Sequence, residues 1–400
     1  MTERRTYKKR GNPYKRFKTK EDEIQQNNNY TWYFYYFVDN PSTGEKKQKY
    51  KGGYRTKREA TEAMKRINAA IQNCDYVTPA KITLGKYLLD WLELRRLNLA
   101  ATTFDGYKIN IEKHIIPSLG GIRLQHLTSS NIEKFYALKR KEGARADEKP
   151  GRLSERSLAY IHRVLSKALK NAVAKKMIPR NVANDVENKP KITRYNPTVY
   201  SVNKVIKLLD CVRKTDMEVP VALAGVMGLR RGEILGLKWS NINFDNNTLS
   251  IKQQLVYTKN AVIETTPKTE NSRRTIVLPN SIIVILKRHK KDQDKIKKLL
   301  GTDYVDHDYV NCREDGQPFH PSGFSSKFAQ LLRKVGMPHI RFHDLRHSAA
   351  TNMLLDSSIP IKIVSIILGH NDIRTTLQIY CSVLEKSMRD AAQKIETTYQ

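Results

Sequence analysis

Apolar and polar positions change period several times along this 400-residue chain. The string TWYFYYFVD (31–39) is dense in aromatic and β-branched residues and predicts a strand. Its Trp32–Phe37 aromatics are expected to form the core of a small sheet rather than stacking platforms. The turn string NPSTGE leads into KKQKYKGGY (46–54), a partner strand. TKREATEAMKRINAAIQ then opens with a capping box, Thr56 to Glu59, and sets Ala60, Met64, Ile67 and Ile71 on one helical face. From residue 83 the period is helical. Leu88, Trp91 and Leu92 share a face, and Ser130 with Glu133 predicts the start of another helix. Ser154 opens a long helix with Leu158, Ile161, Leu165, Leu169 and Ala172 as its stripe, ended by Pro179. ENKPKITRYNPTVYS (187–201), with two prolines and several basic residues, predicts a linker. Beyond it, helical stretches alternate with NTLSIKQQLVY, AVIETT and RRTIVLP, expected to be consecutive strands. The tail EKSMRDAAQKIETTYQ predicts a short amphipathic helix.

These periods predict a multidomain fold. Residues 1–78 form a small α+β module, 79–186 an all-α domain of four or five helices, 187–201 a linker, 202–385 a mainly-α domain with a small antiparallel sheet, and 386–400 a tail. Charge then narrows the partners. Lys and Arg number 72 against 40 for Asp and Glu, a formal net charge of +32. A field of that sign attracts polyanions, nucleic acid first among them. Residues 1–20 carry nine Lys or Arg against the single acid Glu3, predicting an arm that orders on binding. No run of 18 apolar residues and no basic-plus-apolar leader is present, which argues against membrane spanning and export. Cys74, Cys211, Cys312 and Cys381 are isolated, pointing to a reducing compartment and to neither a zinc site nor a disulfide framework.

Four stretches hold the candidate chemistry, and each has an ordinary explanation alone. GVMGLRRGEILGLKWSNI (225–242) reads as an apolar helix with Arg230 and Glu233 one turn apart, which could be a surface pair. PKTENSRR (267–274) reads as a hairpin turn carrying Lys268, and turn lysines are usually solvated. In RFHDLRH (341–347), His343 and Arg346 share a helical face while Phe342, Leu345 and Ala349 bury another. His343 and His347 have the spacing of a zinc pair, but Asp344 replaces the glutamate such a site needs and no third ligand follows. LGHNDIRTTLQIYCSV (368–383) places Tyr380 ten residues after His370, where a half-buried core tyrosine would be unremarked. Taken as an ordered set in one basic domain, Arg230, Lys268, His343, Arg346, His370 and Tyr380 suit a phosphodiester. Arginine forks bind phosphate oxygens in bidentate fashion, and tyrosine can form a covalent phosphoester.

GLRRGEILGLKW, PKTENSRRTIVLP, HDLRHSAAT and LGHNDIRTTLQIY closely resemble the motif boxes of tyrosine recombinases, the phage and transposon integrase family. The 83–186 segment resembles that family's core-binding domain. KGGYRTKREATEAM resembles the arm-binding domain of integrases from Gram-positive phages and conjugative transposons. The resemblance implies a site-specific recombinase acting through a 3′-phosphotyrosyl DNA intermediate, with Tyr380 as nucleophile and Arg230, Lys268, His343, Arg346 and His370 around the phosphate. It assigns no catalytic role to Asp344 or His347. It implies no cofactor or metal, a bacterial cytoplasmic, nucleoid-associated setting, and double-stranded DNA bound at core and arm sites. A homotetramer, an excisionase and a host DNA-bending protein are the implied partners. Rival readings are a catalytically dead DNA binder, which should have lost one of the six residues; a topoisomerase-like enzyme, against which the arm module argues; and a metal-dependent nuclease, for which the carboxylate cluster is missing.

Overall fold

The computed structural model describes residues 12–19, 23, 29–39, 46–72, 81–141, 151–192, 197–258, 261–266, 272–356 and 358–399. Contacts divide the chain into two compact units, 1–99 with 106–193 and 100–105 with 194–400.

In the first unit, three antiparallel strands, β1 (Tyr14–Phe17), β2 (Tyr30–Asp39) and β3 (Lys46–Tyr54), are ordered β1-β2-β3. The helix α1 (Lys57–Gln72) packs on one face; Thr56 Oγ1 accepts from the Glu59 backbone N–H as expected, but the Glu59 carboxylate accepts from the Arg55 backbone N–H rather than closing the box on Thr56. Strand alternation decides which aromatics are core. Phe34 and Tyr36 are buried, and Met64, Ile67 and Ile71 of α1 pack against them. Tyr33 and Tyr35 have the opposite parity. They lie with Tyr14, which stacks on Tyr35 at 5.0 Å, and Arg16, whose guanidinium sits 5.4 Å from the Tyr33 ring. Only half of the Trp32–Phe37 run therefore serves the helix-covered core. Strand β1 also falls inside the basic segment expected to be an unstructured arm.

The helical part comprises α2 (Leu84–Leu94), α3 (Ala101–Ile109), a π-helical turn (Asn110–Ile115), α4 (Ile116–Leu119), α5 (Ser129–Lys139) and α6 (Glu155–Ala174). All five predicted stripe residues of α6 are buried, as are Leu88, Trp91 and Leu92 of α2. Two boundaries differ from expectation. Helix α5 starts two residues early, capped by a Thr128–Asn131 box rather than by Ser130 and Glu133. Helix α6 ends at Ala174, well before Pro179.

The second unit holds α7 (Val202–Cys211), α8 (Glu218–Gly225), α9 (Arg231–Leu235), five short strands, then α10 (Asn280–Leu300), α11 (Pro321–Lys334), α12 (Phe342–Leu355), α13 (Ile361–Leu368) and α14 (Ile373–Tyr399). The strands make two sheets. One joins β4 (Ile242–Asn243), β5 (Thr248–Ile251) and β8 (Arg274–Val277), and the other pairs β6 (Gln254–Tyr257) with β7 (Val262–Thr265). NTLSIKQQLVY is thus two strands in two sheets. GVMGLRRGEILGLKW is not one helix either, because the chain breaks between α8 and α9 at Gly228, whose φ is +70°. The core runs from α8 through β5 and β8 to α11 and α12, where Phe342 meets Phe324 and Phe328 edge to face at 4.9 and 5.2 Å. A smaller apolar cluster, Ala350, Leu354, Val364 and Leu368, ties α12 and α13 to Tyr380 and Ile379 of α14. Helix α14 is unbroken from the tyrosine into the tail.

Candidate active site

The break after α8 sets up the site. Arg230 is the N-cap of α9 rather than a mid-helix residue. Its backbone N–H donates to Glu233 Oε2 at 2.9 Å and its Nη1 donates to Oε1 at 2.7 Å. Its Nη2 donates to the Gly369 carbonyl at 2.7 Å, 139 residues away in sequence. Gly369 ends α13 in the left-handed conformation, φ +65°, and so turns the chain to present His370. Glu233 is buried. Burial alone would push its carboxyl up, but Arg274 and Arg230 outweigh this and hold it below the usual carboxylate range.

Arg346 comes from α12. Phe342, Leu345 and Ala349 are buried as the helical spacing predicts, but Arg346 is buried too, at 5% exposure. Its Nη1 donates to the Gly228 carbonyl at 2.7 Å. Desolvation, then the neighbouring Arg230, lowers its pKa to about 9, so it remains charged at neutral pH. Three arginines, 230, 274 and 346, thus interact around the buried carboxylate of Glu233.

The histidines are neutral in this field. His343 is exposed and lines the groove. Desolvation, then His347 and Arg346, lowers its pKa to about 4. Its ring lies edge to face with His347 at 5.2 Å. His370 Nδ1 shares a 2.7 Å hydrogen bond with the Thr376 hydroxyl. Desolvation, then Arg346, Arg230 and Arg274, takes His370 to about 4 as well. Asp344 is wholly buried, caps the Arg341 backbone N–H and pairs with the Arg341 guanidinium. A groove of about 770 Å³ opens beside these groups, lined by Arg230, Arg231, Gln254, Tyr257, Arg341 and His343 among others.

Tyr380 sits half-buried on α14 against the Ala350–Leu368 cluster, and among the described residues its hydroxyl makes no hydrogen bond. Helices α12 and α14 pack together, so the tyrosine and Arg346 ride on adjacent elements. Lys268 lies outside the described residues. The structure therefore gathers Arg230, Arg346, His343 and His370 in one charged pocket, and gives Tyr380 an apolar seat next to it. Arg274, Gly369 and Thr376 belong to the same network and were not singled out by sequence. Arg274 had a legible signal: it shares the inward parity of Ile276 on β8 and of Leu278 just beyond it, whereas Arg273 is exposed.

Known proteins bear on this arrangement. The phage integrase family profile matches residues 201–387, a phage integrase N-terminal SAM-like domain matches 83–138, and an arm DNA-binding domain matches 24–71. The tyrosine recombinase XerC-like protein of Caldanaerobacter subterraneus is 28% identical over 86% of this chain and 90% of its own length. Among solved structures, the Tn1549 transposon integrase in complex with a circular intermediate DNA has a TM-score of 0.63 at 16% identity, over 78% of this chain and 99% of its own. The lambda integrase tetramer bound to a Holliday junction has a TM-score of 0.52 at 20% identity, over 90% and 96%. The chain belongs to the tyrosine recombinase, or phage integrase, family. It is a site-specific recombinase that cleaves and rejoins DNA.

Proposed function

We propose that the pocket of Arg230, Arg346 and His370 binds the scissile phosphate of a mobile element's DNA and that Tyr380 is the nucleophile. The carrying observation is charge: three interacting arginines face one buried carboxylate, so the pocket carries a surplus of positive charge. A phosphodiester supplies the missing anion, and arginine forks fit its nonbridging oxygens. The Tyr380 oxygen attacks phosphorus, the bond to the 5′-oxygen breaks, and a 3′-phosphotyrosyl link forms. The 5′-hydroxyl of a partner duplex then attacks that link and frees the tyrosine. The phosphoester is retained throughout, so the scheme calls for no metal or nucleotide.

Tyrosine has an ordinary pKa near 10 and must lose its proton at attack. His343 takes that proton. A bound phosphate beside it would raise its proton affinity from about 4. Lys268 protonates the leaving 5′-oxygen. His370, with Nδ1 accepting from Thr376, directs an Nε2 proton to a nonbridging oxygen.

We assign residues 79–186 and 202–385 to core-site binding and catalysis, joined by the linker 187–201, residues 1–78 to arm-site binding, and 386–400 to contact with a second protomer. One nucleophile per chain and four strand cleavages require a homotetramer, the state in which lambda integrase was solved on a Holliday junction. An excisionase and a host DNA-bending protein complete the proposed assembly on the bacterial nucleoid. No described helix is long and apolar enough to cross a membrane.

The test is a nicked suicide duplex carrying the core site, incubated in EDTA and run on a denaturing gel. Wild type should form a covalent adduct and Tyr380→Phe should form none. An adduct with Tyr380→Phe, or a strict metal requirement in wild type, would sink the assignment.

A further inference from the structure

We propose that Arg274 is a positioning residue for strand cleavage: it holds the Glu233 carboxylate so that the Arg230 guanidinium stays available to the phosphate beside His370. This rests on the recombinase reading above.

Arg274 stands at the start of β8, paired with Ile251 of β5. Its side chain is only 5% exposed, too deep for a groove contact. Its Nη1 and Nη2 donate to the two Glu233 oxygens, each at 3.3 Å, and its Nε donates to the Ile367 carbonyl at 2.7 Å. Arg230 reaches the same two oxygens, one from its backbone N–H and one from Nη1, and its Nη2 donates to the Gly369 carbonyl two residues further along the same turn. Two arginines thus share one carboxylate and one turn, and that turn leads directly to His370. The approach is close. A Cβ at Gly369 would stand 2.4 Å from Arg274 Nη1.

The hydrogen-bond count limits what Glu233 can do. A carboxylate offers about four lone-pair sites, and Glu233 receives four bonds, two from each arginine. It has no site left for a substrate proton, so its work is to orient. With both arginines present its charge is divided between them. Without Arg274, all of it would fall on Arg230. The Glu233 charge would then be compensated by Arg230 alone, and the Ile367 carbonyl would lose its donor. Arg274 leaves more of the Arg230 charge uncompensated towards the groove and keeps the His370 turn in place.

The experiment measures the single-turnover rate of adduct formation at saturating suicide duplex, the half-saturating DNA concentration, and the melting temperature. The proteins are full-length wild type, Arg274→Met, Arg274→Lys, Arg230→Lys and the double variant Arg230→Lys/Arg274→Met. Arg274→Met should slow the saturated rate about 10²-fold, the scale of a small misplacement at a reacting centre. The half-saturating concentration should be unchanged, and Arg274→Lys should recover part of the rate. The double variant should be no slower than the slower single variant, because Arg274 acts through Arg230. Losses that multiply in the double variant would overturn the proposal, as would a wild-type rate in Arg274→Met or an effect confined to half-saturation. If Arg274→Met melts below the assay temperature, Arg274→Lys carries the same comparison with Arg230→Lys. Failure of wild type to form any adduct would instead strike the recombinase reading itself.

Discussion

At the scale of single residues, the pocket holds His343 and His370 neutral and Arg346 charged at neutral pH. His343 and His370 both fall to about 4 from an ordinary value near 6.5. Above pH 6.5 each is neutral in the folded and the unfolded chain. As pH drops below 6.5 the unfolded chain takes up protons that the folded pocket refuses until about pH 4. The unfolded state binds more protons in that window, so stability is lost as pH falls. The melting temperature of the DNA-free protein should therefore decline between pH 6.5 and 5, above the range where ordinary carboxylates titrate. The variant His343→Gln/His370→Asn should decline less over the same interval. Equal declines in the two proteins would show that these histidines are not held neutral. A short core-site duplex should flatten the wild-type curve, because its phosphate offsets the surrounding guanidinium charge.

At the scale of elements, the site depends on a break that periodicity does not reveal. The run from Val219 to Leu237 is apolar on nearly every side, and a segment buried all round carries no amphipathic period to show where it stops. Gly228 makes the stop. Its φ of +70° is open to glycine, a Cβ there would lie 2.5 Å from Leu368 Cδ2, and its carbonyl receives Arg346. Gly228→Ala should cost on the order of 1–3 kcal/mol by forcing a strained backbone position. Calorimetry should register that as a lower melting temperature, and the suicide-substrate assay should show a further loss from the displaced Arg346 acceptor. A variant with wild-type melting and cleavage would refute the reading of this turn. Other elements were easier or harder to read for equally local reasons. The stripe of α6 and the Thr56 cap of α1 were legible because amphipathic period and cap agree. The start of α5 was misplaced because Thr128-Ser129-Ser130-Asn131 offers several capping registers, and only packing selects one. Strand β1 was hidden because charge dominates YKRF and its partner lies across the Tyr33 to Tyr30 register. Candidate residues of the pocket could be picked from their motifs, but not the sharing of Glu233 by two arginines, since that contact joins segments 41 residues apart.

At the scale of the whole molecule, the net charge of +32 is spread over regions that the proposed reaction uses differently. Residues 1–78 hold 18 Lys or Arg against nine acids. Their sheet covers one face with α1 and leaves Tyr14, Tyr33, Tyr35 and Arg16 on the other. That face is aromatic and carries Arg16, and none of these residues belongs to the candidate pocket. The fragment 1–78 has its own apolar cluster and should fold alone and bind arm-site DNA. The logarithm of its affinity should fall with the logarithm of salt concentration at about −0.9 per phosphate neutralised, because binding releases condensed counterions. Residues 79–400 keep the pocket and should cleave a core-site suicide duplex while losing protection of the arm site. Footprinting both fragments on one recombination-site DNA decides the matter. Separate protected sequences support two DNA sites held by one chain. A single sequence protected by both would reduce the sheet to a nonspecific electrostatic arm. A slope for 1–78 no steeper than that of a basic peptide of equal charge would argue the same way, since counterion release alone would then account for its binding.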